Sequence, residues 1–149
     1  MTTSRKSLNA LCMLAFIVLV FVAPFALGND YDGVKVTLLK KTTTTTTGQK
    51  VFYPKTDSPE VTAVLVEIPV GGETGWHLHP IPVYAYVLSG ALTVEMEKGA
   101  RFSFKEGDAL VEVVNEGHNG RNTGKVPVKL VVFYTGVEGS PITVKVPHQ

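Results

Sequence analysis

The chain has 149 residues, with 14 Lys plus Arg against 13 Asp plus Glu, a formal net charge of +1 and one Cys. That length fits one domain with at most a tail. The absence of long basic runs argues against a charge-driven nucleic-acid binder, and a lone Cys excludes an intrachain disulfide scaffold.

The first 28 residues read as an address. Residues 1–9 are polar and carry Arg5 and Lys6 without an acid, and residues 10–27 carry no charge. Ala26 and Gly28 then place small residues before a cut after Gly28. This is the order of a secretory signal peptide. The uncharged run of about 18 residues is also about long enough to span a bilayer, so an uncleaved anchor helix is the alternative. The first reading makes the protein periplasmic or secreted. The second makes the membrane a partner, with the domain outside the cytoplasm. The lone cysteine, Cys12, leaves with the leader, as do Arg5 and Lys6; 14 basic residues less these two leaves 12 against 13 acidic ones.

Residues 29–60 read as N-terminal strands or an arm, and residues 61–146 as one β-domain. In chain order, residues 34–39 alternate as a strand does. Residues 42–47 are six consecutive threonines, read as an exposed edge strand or arm because Thr favours strands. Alternating runs follow at residues 61–68, 84–88, 91–97, 101–105, 109–114, 128–135 and 143–146. Leu92, Val94 and Met96 share one face of their run, and Phe102 and Phe104 share one face of the next. Gly and Pro fill the spaces between, and no window after residue 29 sustains a 3.6-residue period. This pattern predicts an antiparallel sandwich or barrel.

Four histidines follow the leader. His148 lies beside the C-terminus and is set aside. His77 and His79 are two apart, which in a strand places both imidazoles on one face, where they can hold one metal ion. A surface pair or a core histidine is the commoner fate of such a motif. His118, beside Gly117 and Gly120, reads on its own as a loop histidine.

Glycine spacing binds the three together. Gly71 is followed by five residues, His77-Leu78-His79, three residues, Val83, six residues and Gly90. Gly107 is followed by five residues, Val113, Val114, Asn115, two residues, His118, three residues and Asn122. This resembles the two motifs of the cupin family, G-x5-H-x-H-x3,4-E-x6-G and G-x5-P-x-G-x2-H-x3-N, over residues 61–135. The resemblance implies an all-β fold, a single jelly-roll β-barrel preceded by the signal or anchor helix. It also implies a divalent transition metal (Fe, Mn, Zn or Ni) held by His77, His79 and His118.

Two departures stand out. Val113 and Asn115 occupy the Pro and Gly places of the second motif, although Asn tolerates the left-handed backbone a Gly would take. Val83 occupies the place of the metal-binding Glu and cannot ligate. The site is then either a three-histidine site or one completed by another carboxylate. Glu112, the one charge in the run 110–114, is the best candidate; a solvent-facing Glu is the alternative, since period two alone does not say which face is inside. Glu73 lies in a Gly-rich loop and reads as solvated.

Trp76, Tyr84 and Tyr86 flank the first motif and are candidate pocket residues, with core packing as the commoner role. Arg121 is a candidate for binding an anionic substrate, with a plain surface Arg as the commoner role. The leading reading is a metal-dependent, oxygenase-like enzyme on a small organic substrate. A non-enzymatic module for a metal or small ligand is the alternative, and a metal-free structural barrel a weaker third. Small cupins often dimerise by exchanging N-terminal strands, so the resemblance implies that residues 34–53 serve as such an arm in a homodimer.

Overall fold

A computed structural model describes residues 33–147. The signal or anchor segment, the cut after Gly28 and His148 lie outside the described residues. The chain divides into two compact units, residues 1–36 and 37–149, and the strands all belong to the second.

Among the described residues nine strands form in chain order: β1 Pro59–Ile68, β2 His77–Leu78, β3 Val83–Ser89, β4 Ala91–Met96, β5 Arg101–Lys105, β6 Ala109–Val111, β7 His118–Asn122, β8 Val128–Val137 and β9 Val144–Lys145. They make a four-stranded sheet in the order β1-β8-β3-β6 and a five-stranded sheet in the order β5-β4-β7-β2-β9. The expected barrel is therefore corrected: the domain is an all-β jelly-roll of two facing sheets, not a closed barrel. The two sheets do not join: β1 and β6 end the first, β6 after three residues, and β5 and β9 end the second.

The expected alternation sets the core. On β3 and β8, Val83, Ala85, Val87, Val128, Leu130, Val132 and Tyr134 point inward and meet Ile68, Leu92 and Leu110. Val83, Val87 and Val128 are fully buried. Each such valine contributes about 1.5–3 kcal/mol of apolar burial, and the cluster they form reaches Leu92 of the other sheet.

Two motif positions show why their residues are needed. Gly90 has φ +85°, and a Cβ there would lie 2.8 Å from the Pro127 carbonyl oxygen and 2.9 Å from Val128 Cα; the turn into β4 presses directly on β8. Asn115 has φ +59° and is the one non-glycine residue with positive φ among the described residues. Asparagine thus holds the left-handed turn where the family pattern has glycine.

Two N-terminal expectations change. Residues 34–39 form no strand: alternation makes a strand only where its backbone finds a sheet edge to pair with. The threonine tract is not a free arm. Thr44 bridges Lys50, and the loop between them is fastened to the chain's own second motif. Thr46 N and Oγ1 both donate to the Val111 carbonyl, at 2.8 and 3.0 Å. Gln49 Nε2 donates to Val114 O at 3.1 Å, and Val114 N donates to Gln49 Oε1 at 3.0 Å.

Candidate metal centre

β2 carries His77, and β7 begins at His118, which is therefore a strand residue and not a loop histidine. The two strands pair with His77 opposite His118, so their rings share one face. His79 follows β2 and turns inward with them; His79 and His118 are each 3% exposed. The ring centroids are 4.5 Å apart for His77–His118, 4.9 Å for His77–His79 and 5.2 Å for His79–His118. One ligand atom from each lies within 4.8 Å of the others. Three histidines from two motifs are thus positioned to bind one metal.

Each ring is oriented by its other nitrogen. Nδ1 of His77 bonds the Gly75 carbonyl at 2.7 Å, Nδ1 of His79 the Ile142 carbonyl at 2.7 Å, and Nδ1 of His118 the Glu116 carbonyl at 3.0 Å. A carbonyl only accepts, so each Nδ1 is the protonated nitrogen of its ring, and Nε2 of a neutral ring is left as a lone pair. A hydrogen bond from the other ring nitrogen is how proteins aim histidines at a metal.

Glu112 faces this cluster. Tyr84 pairs with Val111 between β3 and β6, and Glu112 N donates to the Val83 carbonyl at 3.0 Å. Glu112 therefore stands opposite Val83 and shares its interior face. The carboxylate lost at Val83 has a counterpart one strand away. Glu112 Oε2 lies 3.1 Å from His118 Nε2 and 3.4 Å from His79 Nε2. Both rings then lie between two acceptors, a carbonyl at Nδ1 and a carboxylate at Nε2. A neutral imidazole has one N–H and satisfies only one of them. An added cation, either a second proton or a metal, resolves the conflict, so the donor set fits a divalent metal.

The electrostatics follow from the same contacts. Burial pushes the Glu112 carboxyl up, but hydrogen bonds and charge from His118 and His79 outweigh it and hold its pKa at about 2. Burial pulls His118 down, yet its hydrogen bond to Glu112, that carboxylate's charge and the Glu116 carbonyl raise it overall. His77 is lowered, chiefly by burial and further by the other two imidazoles. Tyr134 is raised, first by burial and then by the charge of Glu112.

A pH dependence follows. Glu112 is depressed from its ordinary 4.5, so its stabilising share is present above that pH and is lost as pH falls toward about 2. His118 is raised from its ordinary 6.5, so its share is present below that pH and is lost as pH rises through the raised value. Metal-free protein is therefore expected to gain most from this pair between about pH 4.5 and 6.5. Metal affinity is expected to run the other way, rising with pH as His118 gives up its proton. Thermal unfolding in chelator and metal titration across pH check the two trends; metal affinity that is flat from pH 5 to 8 would contradict the second.

The remaining candidates separate. Trp76 lines a pocket of about 420 Å³ together with His77, His79 and Tyr134. Tyr84 and Tyr86 do not line it. They alternate with the core residues Val83, Ala85 and Val87, which puts them on the outer face of β3. Arg121 is likewise turned outward on β7. It is 47% exposed, with Nε 3.5 Å from Glu73 and Nη1 3.6 Å from Glu95. Glu73 also accepts from Asn119 Nδ2 at 3.1 Å and takes no part in the histidine cluster. Tyr134 went unnoticed in the sequence. It lines both the pocket and the inner chamber of about 60 Å³ at the cluster, and its ring lies 5.4 Å from that of His79. Its phase with Val128, Leu130 and Val132 was the available signal.

Residues 64–134 match the family model of the cupin domain. These residues belong to the cupin family. No curated protein matches the chain significantly. Among solved structures, the chain is similar to an oxalate decarboxylase of Lactobacillus farciminis in complex with formate, at 25% identity and a TM-score of 0.50, over 58% of this chain and 26% of that one. It is also similar to a DMSP lyase of Ruegeria pomeroyi, at 23% identity and a TM-score of 0.52, over 63% of this chain and 46% of that one; this second likeness speaks for the fold alone. The chain thus spans about a quarter of the length of the decarboxylase.

Proposed function

We propose that this is an exported cupin in which His77, His79, His118 and Glu112 hold one divalent transition metal (Fe, Mn, Zn or Ni), and that it acts as an oxygenase-like enzyme on a small organic substrate. The observation that carries the reading is a set of three carbonyl-anchored imidazoles whose ligand atoms lie within 4.8 Å of one another, with the Glu112 carboxylate 3.1 Å from one and 3.4 Å from a second. A divalent metal there supplies Lewis acidity and, if redox-active, electron exchange. The protein's own part is to orient the rings through Gly75, Ile142 and Glu116, to set Glu112 beside them, and to exclude water with Leu92, Val94, Leu130 and Val132 around the chamber. The likeness to an oxalate decarboxylase supports a small substrate. The uncharged run at residues 10–27 supports export.

Metal analysis of the mature protein tests the site, and an oxygen-uptake screen over small phenols, thiols and diketones tests the activity. We expect about one metal per chain and oxygen uptake with at least one substrate class. Wild type that carries no stoichiometric metal after growth in metal-replete medium sinks the metal reading. Full metal with no turnover on any class turns the protein into a binding module.

A further inference from the structure

We propose that Lys145 forms an anion-binding subsite in the mouth of the metal pocket, selecting a small organic carboxylate with an apolar body. This rests on the reading that the histidine cluster holds a metal, and it names the substrate class of that site. β9 pairs with β2 so that Lys145 stands opposite His77. Val146 N donates to the Trp76 carbonyl at 3.2 Å, which makes Trp76–Val146 the hydrogen-bonded pair. His77–Lys145 is then the non-hydrogen-bonded pair, in which side chains on one face stand closest. The ring of His77 turns to the cluster, so the stem of Lys145 shares the pocket face. The pocket of about 420 Å³ is lined by Trp76, His77, His79, Tyr134, Lys145 and Val146, among others.

Lys145 is the one Lys or Arg lining that pocket, and it makes no ion pair with any described residue. Arg121, the other cation considered for an anion, pairs with Glu73 and Glu95 on the outer face. The carboxylate nearest the cluster, Glu112, lines the inner chamber and not this pocket. Among the described residues, the mouth therefore offers one cation that no acid pairs, beside the imidazoles of His77 and His79 and the ring of Tyr134. The ligand that matches it has one carboxylate and an apolar or aromatic body, of a size that such a volume accepts.

The test uses phenylacetate and its neutral amide, phenylacetamide, titrated calorimetrically into full-length, metal-loaded protein. Wild type should prefer the acid. Lys145→Met keeps the apolar stem and should lower the acid-to-amide affinity ratio by about tenfold, the loss of one charge-assisted contact. Its metal content should equal that of wild type. Lys145→Arg should keep most of the ratio. Lys129→Met, a charge change beside Glu67 on the outer face of β8, should leave it unmoved. An unchanged ratio in Lys145→Met at equal metal content overturns the subsite alone, as does a wild type without preference for the acid. A wild type that holds no metal overturns the metal reading and the subsite with it.

Discussion

Replacing His118 with alanine is expected to abolish stoichiometric metal binding, lowering affinity by more than about 100-fold. Loss of a group that only orients a metal-binding side chain costs about 10–100-fold, and His118 would itself bind the metal. It is the histidine closest to Glu112, at 3.1 Å, and it joins the second motif to β2 through its pairing with His77. Without it, Glu112 faces His79 alone and two imidazoles remain. Inductively coupled plasma analysis and titration with a competing chelator measure the loss. Circular dichroism in chelator, beside wild type in chelator, shows whether the sheets persist, which separates a lost ligand from a lost fold. A folded His118→Ala protein with wild-type metal content would refute the site.

The second large effect is expected at Glu112. Glu112→Gln preserves shape and removes the charge, so metal affinity should fall on the order of 10- to 100-fold while the three histidines still bind. In metal-free protein the same change removes the charge that holds the His118 proton, and should destabilise by about 1–3 kcal/mol near pH 6. The difference should vanish at low pH, where the wild-type carboxyl is itself protonated. Competition titrations and unfolding curves at several pH values measure both. If Glu112→Gln or Glu112→Ala binds metal as tightly as wild type while His77→Ala does not, the centre has three ligands and Glu112 is only their neighbour.

Legibility in the sequence followed the range of the interaction. Period two put Leu92 and Val94 on one face, which in the structure lines the chamber, and the boundaries of β5 at Arg101–Lys105 follow from its two flanking turns. Gly71, Gly90 and Gly107 hold positive φ, as their motif places require. The same local logic misled where pairing was decisive: residues 34–39 alternate yet form no strand. Tyr84 and Tyr86, for which packing was the commoner expectation, lie on the outer face of β3.

Taken by itself, the sequence determined the candidate ligands, their glycine-framed spacing, most of the strand phases and a residue at 115 that tolerates a left-handed turn. Each of these depends on the backbone within a few residues of itself. Which face of the run 110–114 is interior was decided only by the tertiary structure, through the backbone contact of Glu112 with fully buried Val83. So was the diversion of Arg121 to Glu73 and Glu95, and the arrival of Lys145 beside His77. A strand's alternation defines two faces but does not name the inner one, and a side chain's partner across a sheet is chosen by pairing between segments far apart in the chain.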